Sequence, residues 1–132
     1  FPNIKFAFLE GGVGWLLMAR ERCDSSYRAF TAMDPKNALF DLRAGEQVAD
    51  YIGRQIDEGR IFVGIEGDEP DLPYAVKVFG NKPFMFSTDF PHEVNADTCK
   101  EEVNEICENA SLSDEDKEAI MYLNAERFYG FK

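Results

Sequence analysis

Residues 4–9 form a nearly unbroken apolar run, interrupted only by Lys5 and closed by Glu10, Gly11 and Gly12. A short apolar run ended by glycines reads as a strand buried on both faces, the kind found in parallel sheets. From Val13 the period changes. Val13, Leu16, Leu17, Arg20, Cys23, Tyr27 and Phe30 recur at three- and four-residue steps, which places them on one face of a helix. Residues 33–43, with Asp34-Pro35-Lys36-Asn37 among them, carry no sustained period and read as a loop. Val48, Tyr51, Ile52 and Ile56 give a short helix that Gly59 ends. A second apolar strand over residues 61–66 is closed by Gly67-Asp68-Glu69-Pro70. Residues 73–79 then read as a helix with Pro73 in its first turn, broken by Gly80-Asn81. Residues 84–86 begin a third strand that runs into Ser87-Thr88-Asp89, and Pro91, which lacks the ladder donor, stops it. Val103, Ile106 and Cys107 place a helix over residues 97–107. Ser113 caps a last helix whose first-turn acids suit its positive end, whose stripe is Ile120, Met121, Phe128 and Tyr129, and which Gly130 stops. Three strands alternating with helices imply an α/β fold around a parallel sheet.

Each strand ends in a carboxylate: Glu10, Glu66 and Asp89. Strand residues two apart share a face. If the three acids face one interior, then Phe6, Phe8, Phe62, Gly64, Met85 and Ser87 face it too. Ala7, Leu9, Ile61, Val63, Ile65, Phe84 and Phe86 are left to pack on outer helices. Active sites of parallel α/β folds lie at the C-terminal ends of the strands, so acids there are candidate metal ligands or general bases. The plainer reading, an acid that caps a helix or meets an arginine, is the stronger one for Glu66, Asp68 or Glu69 taken singly.

Composition narrows the partners. The 132 residues suit one domain, and 45% apolar residues with twelve Phe supply a core. Lys plus Arg number 14 against 25 Asp plus Glu, and the net charge of −11 repels a phosphate backbone, so nucleic acid is not expected. No apolar run approaches the roughly 20 residues of a bilayer span, and no signal segment opens the chain. Three cysteines, an odd number without metal-finger spacing, read as free thiols in a reducing compartment, with the cytoplasm expected. Residues 111–118 are acidic but lack the alternating acids and central glycine of a calcium loop, so they read as a helix start.

The segment Phe86-Ser87-Thr88-Asp89-Phe90-Pro91-His92 resembles the last-strand motif of the amidohydrolase-related family. That family includes aminocarboxymuconate-semialdehyde and resorcylate-type decarboxylases. Phe1-Pro2-Asn3-Ile4-Lys5 through Glu10-Gly11-Gly12 resembles its sixth barrel strand and turn. Ile65-Glu66-Gly67-Asp68-Glu69 resembles the seventh, and Asn124-Ala125-Glu126-Arg127-Phe128-Tyr129-Gly130 the closing helix. The resemblance implies a (β/α)8 barrel of TIM type, with residues 1–132 as a partial barrel domain: about strands six to eight with their helices, lacking the N-terminal strands. It implies a metal-dependent enzyme that hydrolyses or decarboxylates a small organic substrate. It also implies a divalent ion, commonly zinc, held by histidines of early strands and by the aspartate that Asp89 matches.

Glu10 stands where the compared decarboxylases usually carry a histidine, and reads as a catalytic proton acceptor, a partner for a cationic group, or a salt-bridged strand-end acid. His92, the one histidine, and Trp15, just after the glycines, are pocket candidates beside Glu66; an exposed loop histidine and an ordinary packing aromatic are the plainer readings. A catalytic zinc typically needs three protein ligands and a water, so this chain alone is expected to hold no catalytic metal and to be inactive. A full barrel takes about 250 residues, and this chain starts at Phe1 inside an apolar run without an initiator Met. It is therefore expected to be part of a longer protein, and its open sheet edges to pair with the missing part or with a second copy. The alternative is a non-catalytic, barrel-derived assembly module.

Overall fold

A computed structural model of the chain describes residues 3–34, 36, 42–92 and 94–131. Strands β1 (Phe6–Phe8), β2 (Ile61–Ile65) and β3 (Phe84–Phe86) make one sheet in the order β1-β2-β3, with both pairings parallel. Helices α1 (Gly12–Phe30) and α2 (Val48–Asp57) connect β1 to β2, and α3 (Leu72–Phe79) connects β2 to β3. After β3 come α4 (Ala96–Glu108), then α5 (Asp114–Glu118), which continues through a π turn (Ala119–Leu123) into α6 (Asn124–Tyr129). The loop expected over residues 33–43 opens with a 3-10 turn, Thr31–Met33; residues 35 and 37–41 of it lie outside the described residues.

One face of the sheet is covered by helices. Val63, Ile65 and Phe84 pack with Val13 and Leu16 of α1, Ile56 of α2, Leu72 and Ala75 of α3, Ile106 of α4, and Leu112 and Ile120, all buried. On the other face Phe62 meets Phe128 of α6 edge to face at 5.2 Å, with the Arg127 guanidinium over its ring. The inverted parity of β1 is the main departure from the sequence pattern. Ala7 pairs with Phe62 and Phe8 with Val63, so Phe6 and Phe8 lie on the helix-covered face. Leu9, whose Cδ2 would stand 2.9 Å from a Cβ at Gly64, lies on the other. Nor is β1 buried on both faces: at the sheet edge Phe6 is 55% and Leu9 66% exposed. The alternation assigned to β2 and β3 agrees with their register, which pairs Gly64 with Met85 and Val63 with Phe84.

Local chemistry explains where the helices begin. Asn95 and Ser113 accept backbone N–H groups of the first turns of α4 and α5, each in a reciprocal capping box with Thr98 and Asp116. The start of α2 is additionally capped from α1, where Asp24 Oδ1 accepts from Val48 N–H at 2.8 Å. The π turn ahead of α6 precedes Asn124, which is 4% exposed and donates from Nδ2 to the carbonyls of Asn81 at 2.7 Å and Phe84 at 2.8 Å. Lys5 donates to the Arg127 carbonyl, completing the seat of α6 at the N-terminal ends of the strands. The opposite, C-terminal ends stay open.

Candidate active site

The C-terminal ends of the three strands border a cavity of about 720 Å³. Glu10, Glu66 and Asp89 all line it, together with Gly11, Gly12 and Glu69. Leu9, Met85, Phe90 and Tyr129 give it apolar walls, and Ser87 and Thr88 lie on the same rim. Among the described residues no Lys, Arg or His lines it.

Glu10 and Asp89 do not arrive there by strand alternation. Both adopt left-handed backbone, φ 59° and 53°, so each chain turns sharply just past its strand. Non-glycine residues rarely take this conformation, and Asp tolerates it better than most. After Asp89 the Phe90–Pro91 peptide is cis. The Asp89 carboxylate meets His92 Nδ1 at 3.0 and 3.1 Å, so the histidine sits behind the aspartate and is not among the residues that line the cavity. Trp15 does not line it either. Its ring stacks on Phe8 at 4.3 Å, on the side of the sheet where α1 packs.

Glu69, given the plainer reading from sequence, proves to be a structural hub. Its carboxylate accepts the backbone N–H groups of both Val13 and Glu66. Nothing near Glu69 in the chain signals a bond to a residue 56 positions earlier. Ala125 and Tyr129 of the closing helix were likewise not singled out as pocket residues; they reach the cavity because that helix lies on the Phe62 face.

The acids at this edge act on one another. Burial, followed by the charges of Glu102, Asp68, Glu69 and Asp89, pushes the Glu66 carboxyl above its ordinary value. Burial also raises Glu102, whose Oε2 is buried with no hydrogen-bond partner among the described residues; the Gly67 amide pulls the other way, and Asp68, Glu105 and Asp89 raise it further. Far from the cavity the reverse holds at Glu46. The Arg54 guanidinium grips it through two bonds, at 2.7 and 2.9 Å, and with the Arg43 amide holds its carboxyl down to about 2.

A family model described as amidohydrolase matches residues 1–131. The chain belongs to the amidohydrolase family. No curated protein and no solved structure matches it. Amidohydrolases are (β/α) barrels that act on small-molecule substrates and typically use divalent metals. The three-stranded parallel sheet is consistent with part of such a barrel. The donor set here does not by itself fit the ion. Among the described residues no three His, Cys, Asp or Glu side chains are grouped to hold a metal, and Asp89 is engaged by His92. Cys23, Cys99 and Cys107 are free, and none lines the cavity. Among the described residues no helix is long and apolar enough to cross a membrane.

The two kinds of carboxyl shift give opposite pH dependences. Glu46 lies below the ordinary 4.5, so its contribution is present above that value and lost as pH falls toward 2. Glu66 and Glu102 lie above 4.5, so folding favours their protonated forms. They oppose folding at neutral pH and cease to as pH falls through their raised values. Thermal melts of the chain are expected to shift upward from neutral pH into the mildly acidic range and downward below about 4.5. A midpoint that falls steadily from neutrality would contradict this.

Proposed function

We propose that this chain forms one wall of the catalytic cleft of a metal-dependent amidohydrolase, with β1, β2 and β3 as strands six, seven and eight of a (β/α)8 barrel. On this reading residues 1–132 are a partial barrel domain, and the complete protein hydrolyses or decarboxylates a small organic substrate. The observation that carries the reading is Asp89. It stands in a left-handed turn directly after the last strand, within Phe86-Ser87-Thr88-Asp89-Phe90-Pro91-His92, and borders one cavity with Glu10 and Glu66 in a chain of this family. The Asp89 carboxylate accepts and returns a proton in the cleft, and His92 orients it through Nδ1. Glu10, on the opposite wall, is the second proton acceptor. Glu66, whose carboxyl is raised by burial and by the neighbouring acids, borders the same cavity. Zinc is the proposed ion; Asp89 would be one ligand, and histidines of strands outside this chain would be the others. The three free thiols suit a reducing cytoplasm.

Metal analysis of the longest native form tests this. A stoichiometric divalent ion is expected there, absent from the Asp89→Ala protein and from the 132-residue chain. A complete protein that turns over substrate without any bound metal would overturn the reading. The exposed β1 edge, with Phe6 and Leu9 open to solvent, favours a second reading, a non-catalytic assembly module that uses this edge for pairing. The reading frame upstream of Phe1 separates the two: paired histidine ligands there support the enzyme, and a stop codon with no separate partner protein supports the module.

A further inference from the structure

Both carboxylate oxygens of Glu69 are taken by backbone amides, one in the first turn of α1 and one in Glu69's own loop after β2. Oε2 accepts from Val13 N–H at 2.7 Å and Oε1 from Glu66 N–H at 3.1 Å. Val13 is the second residue of α1, a 19-residue helix that begins at Gly12 with no acid in its first turn and no side-chain cap from Gly11. A helix start carries unpaired N–H groups and partial positive charge, and a carboxylate satisfies both. Here the carboxylate comes from the loop after β2. It also takes up the space a side chain at Gly12 would need: a Cβ there would stand 2.5 Å from Oε2 and 2.8 Å from Oε1, at a backbone φ of +53°. The turn Glu10-Gly11-Gly12 therefore closes onto Glu69 only because Gly12 has no side chain.

We propose that Glu69 is the positioning residue of the cleft, clamping the turn that carries Glu10 to the loop that carries Glu66 and so fixing the separation of two of its walls. Its consequence for catalysis rests on the cleft reading above, whereas the clamp itself does not. A carboxylate with both oxygens engaged by amides acts through the groups it places, and leaves Glu10, Glu66 and Asp89 to face a substrate.

Amide hydrogen exchange by NMR on the 132-residue chain tests the clamp, with Trp15 fluorescence as a second signal. Trp15 is the only tryptophan, and its Cβ lies 3.0 Å from where a Gly11 side chain would begin, so it reports on this turn. In Glu69→Ala, exchange at Val13 and Glu66 is expected to speed up by about tenfold or more, as expected for loss of a hydrogen bond to a charged group. Acrylamide quenching of Trp15 should rise. The amides of Val63 and Ser87, bonded to Pro83 and Ile65 in the β2–β3 ladder, should keep their protection. Glu69→Gln retains one carbonyl acceptor and should restore protection at one of the two amides only; it carries the test if the alanine variant does not fold. Unchanged exchange at Val13 and Glu66 overturns the clamp. So does equal acceleration at all four amides, which would mark Glu69 as general support. Turnover of the complete Asp89→Ala protein reports on the cleft independently, so the failure of one idea is distinguishable from the failure of the other.

Discussion

Turnover of the complete protein is expected to fall by about a hundredfold to ten thousandfold on Asp89→Ala, the usual cost of losing a general acid or base. Two features of the structure make this readable as chemistry. The Asp89 side chain is 35% exposed and, among the described residues, its polar partner is the exposed His92, so removing it opens no core. The left-handed φ of 53° does matter, because alanine is less at ease there than aspartate, by about 1 kcal/mol. Asp89→Asn is therefore the stricter variant. Asparagine tolerates the turn equally well, keeps the shape and a hydrogen-bonding oxygen for His92, and removes only the charge and the basic carboxylate. Both variants should lose activity alike, with the melting temperature of the asparagine form close to wild type. His92→Ala should cost less than either, since it removes orientation and leaves the carboxylate. Near-normal turnover in both aspartate variants would remove Asp89 from the mechanism.

What the chain's pattern reveals depends on how much each feature relies on nearby residues. The helices were legible because their signals are local: Ser113 caps α5, Gly130 ends α6 in left-handed backbone, and Val13, Leu16 and Ile56 fall at helical spacing onto the face that is buried. The strands were legible as apolar blocks closed by Gly or Pro. The parity of β1 was not. In Phe6-Ala7-Phe8-Leu9 every residue is apolar, so alternation carries no sign, and the side each takes is set by β2, which places Ala7 against Phe62.

The site divides in the same way. A contiguous motif announced Asp89, and alternation pointed to the C-terminal edge where Glu10 and Glu66 also lie. Nothing in the sequence announces left-handed backbone at a glutamate or an aspartate, so their approach by sharp turns was hidden. Trp15 shows how adjacency misleads. It follows the glycines that border the cavity, yet three residues of helix rotate it to the other side of the sheet, against Phe8. The roles of Glu69 and Glu102 depend on partners far along the chain, and only the fold brings those together.

The glycines of the second strand and its loop offer the sharpest test of that packing. Gly67→Ala is expected to destabilise the chain by about 3 kcal/mol, the upper part of the overpacking range, and Gly64→Ala by less than about 1 kcal/mol. Both glycines are buried, and neither takes a left-handed φ, so the contrast is steric. A Cβ at Gly67 would stand 2.6 Å from Glu102 Cα and 2.8 Å from its carbonyl carbon, where ordinary contacts begin at 3.4 Å. These are backbone atoms of α4 and cannot rotate away. The helix must shift as a body, and Ile106, fully buried one turn further on, shifts with it. The buried Glu102 carboxylate is carried on the same helix turn, so movement there also disturbs the acids behind the cleft. At Gly64 the near atom, at 2.9 Å, is Cδ2 of Leu9, the far end of an exposed side chain, and the next atoms are 3.7 Å away. Leu9 can change rotamer toward solvent, and alanine regains part of the backbone entropy that glycine loses in a strand. Denaturant titrations of the two variants decide the matter. A midpoint for Gly67→Ala near wild type, or below it by no more than for Gly64→Ala, would mean that α4 is not seated against the loop after β2.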